Sequence, residues 1–125
     1  MHTSAPLVVY TYSGCSTCRD AVKWLQRYNL AFEERAIRET PPSVPELQKM
    51  LEILGGETRR LFNTSGLEYK ALNLKSKLPD LSEREALALL SKNGKLVKRP
   101  FVLGAQVGLV GFKDAAWSTA LLKKS

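Results

Sequence analysis

Two cysteines near the start of the chain are the residues best suited to chemistry. Cys15 and Cys18 form a Cys-x-x-Cys pair, and the sequence contains no other cysteine. At this spacing one sulfur can attack a disulfide as a thiolate, and the other can resolve the mixed disulfide that results. The pair therefore predicts thiol–disulfide redox chemistry.

Two other interpretations of the pair stay open. A Cys-x-x-Cys can be half of a zinc site, and a free cysteine often behaves as a small buried hydrophobic residue. A structural zinc ion takes four ligands, whereas the sequence offers no second cysteine pair and only one histidine, His2. We therefore rank metal binding and an inert pair behind redox chemistry, and expect no metal site.

The elements on either side of the pair must position it. The run from Leu7 to Tyr12 is apolar and β-branched, as in a buried strand, and residues from Thr17 to Tyr28 carry apolar side chains at helical spacing. Cys15 then lies at a helix N-terminus, where free backbone N–H groups and the helix dipole favour a thiolate. We predict that Cys15 is the nucleophile, that Arg19 adds positive charge, and that Cys18 is the less exposed resolving thiol.

The rest of the chain alternates strands and helices. We expect a second strand over 30–37, helices opened by capping boxes at Ser43 and Ser82, strands over 101–103 and 107–112, and a final helix over 114–122. Asn93 and Gly94 should end the helix after Ser82 in a left-handed cap.

This order of elements predicts an α/β, thioredoxin-like fold: β-α-β, a helical insertion, then β-β-α, with a mixed central sheet. We expect a single domain over 1–125, with residues 41–95 as an all-helical insertion. In that fold the proline before the third strand, here Pro100, follows a cis peptide that faces the cysteine turn.

Charge and composition restrict the partners. The formal charge is +7 and the pI is near 9.6, so the surface should attract anions. The basic residues are scattered in short pairs such as Arg59-Arg60, which we expect to be solvated, so sequence-specific binding of nucleic acid is not expected. The first residues resemble neither a signal peptide nor a membrane span, and we expect a cytoplasmic monomer.

Four segments carry a family resemblance. They are Tyr12–Arg19 with both cysteines, Leu61–Gly66 followed by Tyr69, Lys98–Pro100, and Val110–Phe112. In this order and at this spacing they resemble the Spx and arsenate-reductase-like (ArsC) proteins, which have a thioredoxin fold with a helical insertion. The resemblance extends over nearly the whole chain.

In the arsenate reductases of this family, the cysteine at the helix start attacks arsenate, glutathione resolves the adduct, and several arginines hold the oxyanion. Cys15 and Arg99 match that pattern. Asn63 and Gly111 stand where two further arginines are expected. Without them an arsenate dianion would lose charge-assisted hydrogen bonds worth roughly 1.5 to 3 kcal/mol each.

The Spx-type regulators of the family keep a Cys-x-x-Cys as an oxidation switch, so Cys18 favours that branch. The resemblance thus implies a redox-responsive regulator, with the C-terminal domain of the RNA polymerase α subunit as a partner. The alternative is an arsenate or related thiol reductase that depends on glutathione or glutaredoxin. No bound cofactor is implied, because glutathione would enter as a co-substrate.

The sequence and the resemblance together name the site residues that we expect. The catalytic residues are Cys15, Cys18 and Arg99. The substrate-binding residues are Ser13, Gly14, Ser16, Thr17, Arg19, Asn63 and Pro100. Gly55 and Gly56 either contribute to a partner surface or simply end a helix.

Overall fold

The fold is built on a four-stranded sheet, in a computed structural model that describes residues 6–122. The strands are β1 (Leu7–Thr11), β2 (Phe32–Ala36), β3 (Phe101–Leu103) and β4 (Gly108–Val110). Their order across the sheet is β2-β1-β3-β4; β1 and β2 are parallel, and the other two pairings are antiparallel. This is the mixed sheet that the sequence predicts.

Helices connect the strands. Within residues 6–122 the α-helices are α1 (Ser16–Arg27), α2 (Val44–Ile53), α3 (Leu67–Ala71), α4 (Leu74–Lys77), α5 (Glu83–Lys92) and α6 (Asp114–Trp117). Helix α1 joins β1 to β2, whereas α2 to α5 all lie between β2 and β3. Short 3₁₀ turns follow α2, α4 and α5, at Thr58–Leu61, Leu78–Asp80 and Gly94–Leu96 respectively. None of the helices in this part of the chain is long and apolar enough to cross a bilayer.

The alternation of side chains along β1 divides the core between the two faces of the sheet. Val9 points to one face, where it belongs to a buried cluster with Trp24 of α1 and Trp117 of α6. Tyr10 points to the other face, where it packs edge-on against Phe101 and belongs to the larger cluster formed by α2 to α5. Each face therefore has its own set of helices.

Both predicted capping boxes are confirmed. The Ser43 side chain accepts the Glu46 N–H while the Glu46 carboxylate accepts the Ser43 N–H, and Ser82 and Glu85 repeat the arrangement. These reciprocal bonds satisfy backbone N–H groups that have no partner inside a helix. They fix the residues at which α2 and α5 begin.

The predicted left-handed cap at Asn93 is wrong. Asn93 is extended (φ −145°), and its side chain accepts the N–H of Lys95 to open the 3₁₀ turn Gly94–Leu96. Gly94 is required for a different reason: a Cβ there would collide with the carbonyl of Ile37. A close approach of two backbones, and not a positive φ, thus explains this glycine.

Three further predicted boundaries need correction. The strand predicted over 107–112 is limited to β4, and Gly111 just after it has a positive φ (73°). The second strand is limited to β2, because Asn29 adopts a left-handed conformation (φ 56°) in the turn that precedes it. The final helix does not continue as an α-helix through residue 122. Helix α6 ends at Trp117, and Ser118–Leu122 forms a π-helical turn.

Candidate active site

The cysteine turn connects β1 to α1 and holds Cys15 at the N-cap of that helix. The backbone N–H of Cys15 donates to the carbonyl of Tyr12 (3.0 Å), which closes the turn. The Cys15 Sγ in turn accepts the backbone N–H of Cys18 (3.2 Å). This partly exposed sulfur therefore lies at the mouth of a helix, where an anion is favoured.

Cys18 lies in a different environment, one turn further along α1. Its side chain is 1% exposed. Burial, followed by the hydrogen bond to Cys15, raises the pKa of the Cys18 thiol from 9.0 to about 12. Cys18 is therefore a neutral thiol at physiological pH, next to a partner sulfur that solvent can reach.

A cleft of about 830 Å³ opens beside Cys15. Among the described residues, the basic ones that line it are Arg59, Arg60, Lys98, Arg99 and Lys113, and the one acidic residue is Glu57. The apolar part of the wall includes Ile53, Leu109 and Phe112. A cleft lined largely by one sign of charge concentrates anions, so it favours a negatively charged ligand.

Arg99, which contributes to the wall of this cleft, has a buried N–H donor without a partner in the described part of the chain. Its Nη1 is buried and donates to no acceptor within residues 6–122, and its Cζ lies 5.2 Å from the centre of the Tyr12 ring. A buried N–H of a charged group without an acceptor costs free energy, which an incoming anion can recover. The Arg99–Pro100 peptide is cis, as predicted.

The predicted substrate-binding residues divide into groups. Thr17 and Asn63 line the cleft together with Cys15 and Arg99, and so does Gly111, the other position where an arginine was expected. Ser13 and Arg19 instead line a second cleft of about 590 Å³, to which Cys18 and residues of β2 also contribute. Gly14, Ser16 and Pro100 line neither of these two clefts.

Arg19 is tied to the turn itself. Its Nη1 donates to the carbonyl of Ser13 (2.8 Å), so the guanidinium braces the start of α1. The charge stays close to the cysteine turn, but Arg19 lines the second cleft and not the one that contains Cys15.

Sequence reasoning missed the contribution of Arg59 and Arg60. Both are exposed, as expected, yet both line the cleft with Cys15. They are brought there by a bridge between Phe62 and Val97, flanked by hydrogen bonds from Asn63 N to Leu96 O (2.7 Å) and from Lys98 N to Leu61 O (2.8 Å). The two basic pairs are visible in the sequence, but their proximity depends on this long-range pairing.

Metal binding finds no support among the described residues. Between residues 6 and 122 no group of three or more His, Cys, Asp or Glu side chains is arranged to hold an ion. His2 lies outside that range.

Known proteins with similar sequences include members of one family and its relatives. The sequence model of the ArsC family matches residues 10–120. The uncharacterized protein YusI of Bacillus subtilis (strain 168) is 44% identical over 108 residues, which cover 86% of this chain and 92% of YusI. The global transcriptional regulator Spx of Enterococcus faecalis is 31% identical over 108 residues, which cover 86% of this chain and 80% of Spx.

Solved structures give the same result for the fold. An ArsC family related protein from Bacteroides fragilis is 43% identical, with a TM-score of 0.87 over 94% of this chain and 98% of that one. An arsenate reductase from Vibrio cholerae is 26% identical, with a TM-score of 0.75 over 96% of this chain and 98% of that one. The predicted thioredoxin-like α/β fold is thereby confirmed.

Proposed function

The chain belongs to the ArsC family, and from this premise we propose that it is a thiol–disulfide redox protein. Cys15 is the nucleophile, Cys18 is the resolving thiol, and Arg99 holds the anionic group of the substrate. The supporting observation is the asymmetry of the two sulfurs. Cys15 is an accessible N-cap beside a basic cleft, whereas Cys18 is a buried thiol in the next turn.

The first step is attack by the Cys15 thiolate on one sulfur of a substrate disulfide. The substrate S–S bond breaks, a mixed disulfide forms on Cys15, and the other half of the substrate leaves as a thiolate that takes a proton from solvent. The guanidinium of Arg99 and the side chains of Thr17 and Asn63, which line the cleft, contact the substrate.

The second step is attack by Cys18 on the Cys15 sulfur. Cys18 gives up its proton, the Cys15–Cys18 disulfide forms, and the second half of the substrate leaves as a thiolate. After burial, the hydrogen bond and the charge of Cys15 are the next contributions that raise the Cys18 pKa. Both disappear once Cys15 is bonded to substrate, so Cys18 ionises more readily at the step in which it must attack.

Mild oxidation tests this proposal. Peroxide converts the Cys15 thiolate to a sulfenic acid, and attack by Cys18 then releases water and leaves the disulfide. We expect mass spectrometry to show one intramolecular Cys15–Cys18 disulfide in the wild-type chain and a persistent sulfenic acid on Cys15 in Cys18→Ser. A wild-type protein that forms no such disulfide would contradict the proposed function.

We also propose a physiological role: a cytoplasmic, redox-responsive regulator. Support comes from the 31% identity to a global transcriptional regulator and from the retained second cysteine. The partner that the resemblance suggests is the C-terminal domain of the RNA polymerase α subunit. In this role the disulfide changes affinity for the partner, and no small substrate is consumed.

Arsenate reduction is the second candidate. The basic cleft and the likeness to an arsenate reductase favour it. Cys15 would bond to arsenic, and glutathione would then resolve the adduct; arsenic(V) is reduced to arsenic(III) while the two sulfurs are oxidised to a disulfide. Asn63 and Gly111 stand in the cleft without the cationic side chains that would bind the dianion bidentately, so we expect inefficient turnover.

A further inference from the structure

Tyr12 begins the cysteine turn, and the site residues expected from the sequence do not include it. Its carbonyl accepts the N–H of Cys15, and its side chain is partly buried against the turn. The ring lies so close to Gly14 that a Cβ there would stand 2.6 Å from the ring carbon Cε2. The absence of a side chain at Gly14 thus makes room for the ring.

Two guanidinium groups approach this ring. The Cζ of Arg38 lies 3.7 Å from the ring centre, and the Cζ of Arg99 lies 5.2 Å from it. Both distances are within the roughly 6 Å at which a cation and an aromatic ring attract each other. Arg38 is exposed and lines neither cleft, whereas Arg99 lines the cleft that contains Cys15.

Arg99 lies near an aromatic ring and has no carboxylate partner within residues 6–122, which affects its N–H donors. Within residues 6–122 the ion pairs join Arg35 to Glu33 and to Glu46, so no carboxylate of this range holds Arg99. A carboxylate would occupy the N–H donors of the guanidinium. An aromatic ring attracts the cation without accepting paired hydrogen bonds from its N–H groups. Those groups therefore stay free to bind an anion.

We propose that Tyr12 is a positioning residue, whose ring holds Arg99 beside the cysteine turn with its donors unused. This inference rests on the proposed function, in which Cys15 reacts with anionic substrates. The proposed task belongs to the Tyr12 ring; the Tyr12 backbone hydrogen-bonds the Cys18 thiol and is unchanged by side-chain substitution. The ring keeps the positive charge of Arg99 directed at the place where an anion meets the Cys15 sulfur.

The test compares two alkylating reagents of similar size, iodoacetate, which is an anion, and iodoacetamide, which is neutral. In the full-length Cys18→Ser protein Cys15 is the only thiol, and the ratio of the two alkylation rates reports the positive charge near its sulfur. The ratio cancels changes in thiolate fraction and in access, because both reagents require the same thiolate. Rates measured across pH report the thiolate fraction of Cys15 separately.

Removal of the charge and removal of the ring should have the same effect. We expect Arg99→Met to lower the ratio about two- to fivefold at low salt, Tyr12→Leu to lower it to a similar extent, and Tyr12→Phe to keep the wild-type ratio. In the Arg99→Met background, Tyr12→Leu should cause no further loss. Arg38→Met is the matched control, which removes the other cation from the ring and should leave the ratio unchanged.

Three outcomes would overturn the inference. They are a wild-type ratio in Tyr12→Leu, full additivity of the Tyr12 and Arg99 substitutions, and a loss in Arg38→Met equal to that in Arg99→Met. Circular dichroism of each variant, together with the Tyr12→Phe rescue, separates misfolding from mispositioning. The proposed function fails independently, if the wild-type protein forms no Cys15–Cys18 disulfide.

Discussion

At the scale of single residues, the two cysteines differ because their surroundings differ. Cys15 ends a turn at the edge of a basic cleft, and its sulfur accepts a backbone N–H. Cys18 points into the protein interior, where burial stabilises the neutral thiol. One sequence motif thus produces a partly exposed thiol and a buried one.

The raised pKa of Cys18 predicts a pH dependence of stability. Above about pH 9 the unfolded chain loses the Cys18 proton, whereas the folded protein keeps it up to about pH 12. The unfolded state then binds fewer protons, so the free energy of unfolding falls as pH rises through this window. We expect urea titrations under reducing conditions to show a slope steeper than that of Cys18→Ala by at most about 1.4 kcal/mol per pH unit.

The Cys18→Ala comparison is needed because other groups titrate in the same range. Burial and the bond to Glu46 also raise the pKa of Tyr10, and this contribution is present in both proteins. Equal slopes for the two proteins between pH 9 and pH 11 would show that Cys18 ionises as easily in the folded state as in the unfolded chain.

At the scale of elements, the segment between β2 and β3 contributes the other wall of the site. We propose that residues 41–95 act as an insertion in the thioredoxin-like fold, and that one of its tasks is to carry Asn63 and the pair Arg59-Arg60 to the cleft. Helix α5 supports this arrangement, since it packs against α2 and against the 3₁₀ turn Thr58–Leu61.

The capping box of α5 predicts how much the Ser82 side chain contributes to the stability of the protein. Ser82→Ala removes the acceptor for the N–H of Glu85 and should lower the free energy of unfolding by about 0.5 to 2 kcal/mol. Ser76→Ala, at an exposed position of α4, is the matched control and should change stability by less than about 0.5 kcal/mol. Equal effects in thermal or urea denaturation would show that the Ser82 cap does not stabilise α5.

At the scale of the whole molecule, charge and shape bear on the choice between a regulator and a reductase. The chain carries a formal charge of +7, and part of that charge lines the cleft at Cys15. The cleft is open and far larger than a single oxyanion requires, so a protein segment or a larger thiol compound can reach the sulfur.

Two assays run side by side decide between these roles. We expect the isolated C-terminal domain of the RNA polymerase α subunit to retain the protein in a pull-down, with different affinity for the reduced and the oxidised form. We expect arsenate turnover with glutathione to be slow and to vanish in Cys15→Ser. Rapid turnover combined with no binding in either redox state would favour the reductase over the regulator.

Much of the fold was predictable from local signals. The apolar run of β1, the amphipathic pattern of α1 and the two capping boxes depend on residues that are close together in sequence. The error at Asn93–Gly94 arose where a distant segment decides the outcome. Gly94 resembles a helix cap in the sequence, but its lack of a side chain serves a contact with the backbone at Ile37, more than fifty residues away.

By itself the sequence determined the mixed α/β fold and the place of Cys15 at the start of a helix, because period, caps and motif spacing are local properties of the chain. Only the tertiary structure decided which side chains surround that sulfur. Arg59 and Arg60 reach the cleft through the Phe62–Val97 bridge, while Ser13 and Arg19, close to the cysteines in sequence, line a second cleft. Long-range pairing and the direction of each side chain set these neighbours, and sequence distance does not report either one.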